Sequence, residues 1–128
     1  MIYLDTSVAL SALLAESRRP APEVWEAELV SSRLLVYELW TRIHARGLTK
    51  RLVEPVRELT DQLTLLELSD EVLARALEPF PVPLRALDAM HLASMEYLRG
   101  LGVPVELASY DLRLVTAAQA LGFDAAAL

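Results

Sequence analysis

Four acidic residues stand where apolar neighbours would ordinarily exclude them. Asp5 closes the N-terminal run Ile2-Tyr3-Leu4, and Glu38 lies inside Leu34-Leu35-Val36-Tyr37-Glu38-Leu39-Trp40. Asp88 lies inside Leu84-Arg85-Ala86-Leu87-Asp88-Ala89-Met90-His91-Leu92, and Asp111 follows Val105-Glu106-Leu107-Ala108-Ser109-Tyr110. A carboxylate in apolar surroundings is costly unless donors or a cation compensate it. Four of them on separate segments point to a shared cation. Hard oxygen ligands without cysteine or obligatory histidine select Mg2+, with Mn2+ as the alternative. Such sites keep open positions for a phosphate and serve phosphodiester hydrolysis, often with two ions.

Each acid also has a plainer explanation. Asp5 and Asp111 precede helical patterns and suit N-caps, with Ser109 competing beside Asp111. Glu38 has Arg42 four residues on, the spacing of a surface ion pair. Asp88 has Arg85 three residues back, and a helix opening at Pro83 would leave Asp88 beyond the capping turn. His91, three residues after Asp88, could orient a carboxylate, touch substrate or simply pack. His44 suits the C-terminal end of its helix. Trp25, Trp40, Tyr37 and Tyr97 fit core or interface positions better than base-stacking platforms.

Apolar periodicity and punctuation place these residues on alternating strands and helices. Ile2–Leu4 reads as a buried strand, followed by a helix over 6–15. Pro22 opens a short helix with Val24 and Trp25. Leu29–Val30 is a second strand, and Ser31 or Ser32 caps a helix ending at Arg46 before Gly47. A helix over 50–63, a strand over 64–68 and a helix from Ser69 to Leu77 follow. Pro79, Pro81 and Pro83 force a connector. A long helix over 84–99 ends at Gly100, a strand covers 105–109, and a helix over 112–121 stops at Gly122. Residues 123–127 suit a fifth, edge strand. The alternation predicts an α/β fold, helices on both sides of a mostly parallel sheet.

The 128 residues suit one domain spanning 1–128, and 54% hydrophobic residues provide a core. Without cysteine, disulfides, thiolate zinc sites and a cysteine nucleophile are excluded. Asp5 interrupts the opening apolar run, and no stretch suits a membrane span, so a soluble, cytoplasmic protein is expected. The net charge of −6 speaks against a simple electrostatic nucleic-acid clamp. A bound divalent ion would invert the local field around the acids. Of the 12 basic residues only Lys50 is lysine, and arginine favours bidentate phosphate contacts.

The segments Ile2-Tyr3-Leu4-Asp5-Thr6-Ser7-Val8, Val36-Tyr37-Glu38-Leu39, Leu84 to Ala93, and Leu107 to Leu114 together resemble a PIN-domain protein. Their order and the chain length are similar to the VapC toxins of VapBC toxin–antitoxin systems. The resemblance implies a three-layer α/β/α fold and a metal-dependent endoribonuclease. It implies Asp5, Glu38, Asp88 and Asp111 as catalytic, metal-binding acids and Thr6 and Ser109 as supporting hydroxyls. Arg85 and Arg113, flanking the acids, are candidates for contacting the RNA backbone. The resemblance further implies a cognate VapB-type antitoxin seated on an apolar groove, supplied by helix 1 and the Val24–Trp25 region, and a homodimer.

Three other classes compete. A haloacid-dehalogenase-type phosphatase needs a second aspartate where Ser7 stands. A receiver-like signalling domain needs a lysine after its last strands, and Lys50 is misplaced for that. A non-catalytic binding domain would use the acids only as helix caps.

Overall fold

Strand β1 (Ile2–Leu4) is short because Asp5 ends its apolar run. Asp5 keeps an extended backbone and turns its carboxylate onto the Ser7 amide, starting helix α1 (Thr6–Leu13). The computed structural model describes residues Met1–Leu128. Helix α2 (Pro22–Glu26) opens on a proline, as first-turn geometry allows. Strand β2 (Leu29–Ser32) runs into helix α3 (Arg33–Ala45), whose cap is Ser32. Helix α4 (Thr49–Asp61) and strand β3 (Leu63–Leu66) follow, then helix α5 (Asp70–Ala76), capped by Ser69. Helix α6 (Ala86–Gly100), strand β4 (Glu106–Ala108) and helix α7 (Leu112–Ala120) complete the chain.

All four strands are parallel, in the order β3-β2-β1-β4. Alternate strand residues face opposite ways, which divides the core in two. Leu4, Leu29 and Ala108 join Val8, Leu35, Leu39, Val56 and Leu59 beneath α1, α3 and α4. Tyr3, Val30 and Leu107 join Leu92, Met95, Leu114 and Ala117 beneath α6 and α7. The result is the three-layer α/β/α arrangement. Polar groups on the buried strand β2 are satisfied locally: Ser31 Oγ donates to the Leu4 carbonyl at 2.7 Å, and Ser32 Oγ accepts from the Leu34 amide at 3.1 Å.

Several boundaries differ from the sequence expectation. Helix α6 begins at Ala86, not Leu84, because Leu84 packs into the second core cluster and Arg85 stays extended. Asp88 therefore lies in the first turn of α6, inside the region the helix dipole favours. Gly100 belongs to the helix, and the left-handed turn falls at Gly102, φ +81°. Leu63 leaves the preceding helix for β3, and β4 is confined to three residues. The expected fifth strand is reduced to one bridge, Leu107 to Ala125. No helix is long and apolar enough to cross a membrane.

Candidate active site

Strand register brings distant parts of the chain together. Leu4 pairs with Ala108, so Asp5 and Ser109 leave the sheet side by side, and the Asp5 amide donates to the Ala108 carbonyl at 3.0 Å. Both lie beyond the carboxyl edge, where ligands of parallel sheets gather. Helices α3 and α6 carry Glu38 and Asp88 over the same edge. A cavity of ≈ 250 Å³ results, lined by all four acids together with Thr6, Ser7, Leu10, Arg42, Arg85, Ala86 and Leu87.

Asp5 is 7% exposed and held on one side only. Its Oδ2 accepts from Ser7 Oγ at 2.7 Å and from Ser109 Oγ at 2.8 Å. Ser7 Oγ in turn accepts from the Tyr110 amide at 3.0 Å, and Ser109 Oγ from the Asp111 amide at 2.9 Å. The two serines thus lock β1 to the turn after β4. Asp111 caps α7 through Oδ1, which accepts from the Arg113 and Leu114 amides at 3.0 and 3.4 Å. Asp5 and Asp111 are therefore both helix caps and cavity acids.

Glu38 does not pair with Arg42, contrary to the expectation from their spacing. Its Oε1 accepts from Thr6 Oγ1 at 2.9 Å and lies 2.6 Å from His91 Nε2. These two interior contacts draw the carboxylate inward from the helix surface that Arg42 occupies. His91 is 1% exposed, and its Nδ1 lies 2.8 Å from the Tyr3 hydroxyl. A carboxylate only accepts, so Nε2 is the donor to Glu38, and in the neutral ring Nδ1 accepts from Tyr3. Burial pushes the Tyr3 hydroxyl well above the usual tyrosine range, which keeps its proton in place.

Asp88 and Asp111 face a common cation. Arg85 Nε lies 3.5 Å from Asp88 Oδ2, and Arg85 Nη2 lies 3.5 Å from Asp111 Oδ2. Burial nevertheless raises the Asp88 carboxyl above its usual range, and the Asp111 charge adds to the rise more than Arg85 relieves it. No three carboxyl or imidazole groups close on one point. The donor set still suits a hard divalent ion. Asp5 Oδ1 and Glu38 Oε2 have no protein partner, and Asp88 and Asp111 each offer oxygens toward the cavity.

Thr6 and Ser109 lie where the sequence places them, each donating to one of the acids. Arg85 lies in the cavity. Arg113 does not: it lines a separate groove with Val82, Pro83, Leu112 and Thr116, because α7 turns it away from the acids. Ser7 and Tyr3 also join the supports; both lie in the segment around Asp5, which assigns neither a role. A tyrosine inside a three-residue buried strand is the one available signal, since a buried hydroxyl needs a partner.

Comparison with known proteins identifies the family. The PIN domain family model matches residues 2–120. Ribonuclease VapC47 of Mycobacterium tuberculosis is 30% identical, across 96% of this chain and 93% of its own length. Ribonuclease VapC35 of the same organism is 32% identical, across 94% and 92%. A chain in the structure of a toxin–antitoxin complex from Klebsiella pneumoniae superposes with a TM-score of 0.68. It is 17% identical, over 94% of each chain, a likeness of fold.

Proposed function

The chain belongs to the PIN-domain family, and from that premise we propose that it is a metal-dependent endoribonuclease, the toxin of a VapBC-type toxin–antitoxin pair. The observation that carries the reading is the convergence of Asp5, Glu38, Asp88 and Asp111 on one cavity at the carboxyl edge of the sheet. The relatives named as VapC ribonucleases support it. The activity is assigned to one cytoplasmic domain spanning residues 1–128.

In this reading the four acids hold Mg2+ or Mn2+. When bound, the ion would supply a water of lowered pKa and offset charge on the phosphodiester. The protein's part is placement. Ser7 and Ser109 fix Asp5, Thr6 and His91 fix Glu38, and the first turn of α7 fixes Asp111. Arg85, already at the rim, faces the incoming phosphate. In-line attack with the 3′ oxygen leaving gives 5′-phosphate and 3′-hydroxyl ends.

An antitoxin segment has a fitting groove in Ala12, Leu13, Trp25, Pro55, Leu59 and neighbours, between α1, α2 and α4. It lies where helix 1 and the Val24–Trp25 region meet, as the sequence suggests. A homodimer is also proposed, and exposed Tyr37 and Leu112 supply apolar surface suited to it.

The direct experiment is incubation with total RNA in Mg2+, with EDTA and with Asp88→Ala. Cleavage abolished in both, with the variant's circular dichroism unchanged, is the expected result. A folded Asp88→Ala protein that still cuts RNA would falsify the mechanism.

A further inference from the structure

The acid cavity continues into a second groove of opposite charge. Ser7, Leu10 and Arg42 line both. Beyond them the groove is walled by Arg18, Arg46 and Tyr110, with Glu16 its one acid. Glu38, Arg42 and Arg46 recur at four-residue intervals along α3 and onto its C-cap, so one helix face runs from the acids into the groove. Each step advances about 6 Å along the axis, a distance on the scale of one nucleotide of an extended strand.

The arginines of this groove have no acidic partner. The ion-paired arginines are Arg33, Arg57, Arg75 and Arg85, and none of them lines it. The Arg18 guanidinium lies over the Tyr110 ring, 4.7 Å from its centroid, which pre-orients it. In a chain of net charge −6, the groove gathers three exposed arginines that no carboxylate engages, which leaves it open to an external anion. Arginine without lysine favours phosphate recognised through fixed donor geometry.

We infer that the groove of Arg18, Arg42 and Arg46 binds the phosphate backbone of single-stranded RNA flanking the scissile bond. The inference rests on the nuclease reading and deepens it. The acid cavity handles one phosphodiester, and the groove holds its neighbours. A single strand is the fitting partner because it can pass from the acid cavity into the groove across the Ser7, Leu10 and Arg42 they share. This site supplements Arg85 at the cavity rim and takes the role expected of Arg113, which lies elsewhere.

The test uses the full chain carrying Asp88→Asn to suppress cleavage, in Mg2+, with a fluorescently labelled single-stranded 20-nucleotide RNA. Anisotropy is read across a NaCl series. Arg42→Gln/Arg46→Gln is expected to weaken binding at least about tenfold at low salt. It should also flatten the slope of log K against log[salt] by about 1.4, roughly 0.7 for each phosphate no longer neutralised. Arg57→Gln, which lies outside the groove and pairs with Glu54, should change neither. Unaltered affinity and slope in the double variant would overturn the inference, even if the parent chain cuts total RNA. Unaltered RNA binding with loss of binding to an acidic protein segment would overturn it in favour of a protein partner. Failure of the parent chain to cut any RNA would instead remove the nuclease reading beneath it.

Discussion

His91 Nε2 lies 2.6 Å from Glu38 Oε1, while the opposite ring nitrogen lies 2.8 Å from the Tyr3 hydroxyl. The imidazole therefore connects the interior of the central strand to a cavity acid. Its orientation is set from below by Tyr3, and it sets the orientation of Glu38 above.

Tyr3→Phe tests that connection with little change of shape. It leaves His91 Nδ1 buried without a partner, which costs about 1–3 kcal/mol. For a chain of this size the melting temperature should fall by roughly 3–6 °C per kcal/mol. RNA cleavage should drop without vanishing, because Glu38 keeps its bond from Thr6. Thermal melts and cleavage rates on the same preparation check both parts. An unchanged melting temperature would show that the hydroxyl is not holding the ring.

Asp88→Asn should stabilise the metal-free protein and abolish its stabilisation by Mg2+. The sign follows from the raised carboxyl. In the native state Asp88 holds its proton to higher pH than in the unfolded chain. Its favourable contribution is complete below the unfolded value of 3.8 and is lost as pH rises through the native value. The melting-temperature difference between variant and parent should therefore widen as pH rises from about 3.8 toward neutrality. In the parent, saturating ion at about 100 times its Kd should add roughly 2.7 kcal/mol, and in the variant far less. A difference flat with pH would mean the carboxyl is not crowded.

Arg85→Gln should tighten Mg2+ binding several-fold, because the guanidinium now spans Asp88 and Asp111. At 70% exposure its own effect on folding should stay below about 1 kcal/mol. The same variant should raise KM for RNA if Arg85 also meets the phosphate. Calorimetric titration with Mg2+ measures the first effect, and weaker ion binding would contradict it.

Ser109→Ala removes a donor to Asp5 and an acceptor for the Asp111 amide at once. Loss of such a support should weaken ion binding by about 10–100-fold. Ser109→Thr should recover most of it. If both variants bind Mg2+ like the parent, Asp5 is held by Ser7 alone.

Much of this arrangement is legible in the sequence because single residues fix it. Asp5 must leave an apolar strand, Ser32 and Ser69 announce helix starts, and the prolines of 79–83 forbid a helix. These features act locally, within a few residues of where they are read. The features that sequence misplaces depend on distant packing. Leu84 follows the helical pattern of its neighbours but is drawn into the core with Phe80 and Val82. Arg42 has ion-pair spacing from Glu38, yet Thr6 and His91 draw that carboxylate inward. Residues 123–127 have strand-like composition, but they form a single bridge, in which the Asp124 carbonyl and the Ala126 amide bond Leu107. The four acids announce themselves by their apolar neighbours. Their supports Tyr3 and Ser7 do not, because their remote partners, His91 on α6 and the Tyr110 amide, are set by tertiary packing.

The strand order has a consequence during biosynthesis. β1, made first, is completed on one side by β4, the last strand to be made, and Asp5 takes its Ser109 bond from beyond that strand. A nascent chain on the ribosome thus holds an unfinished acid cavity until β4 and α7 emerge.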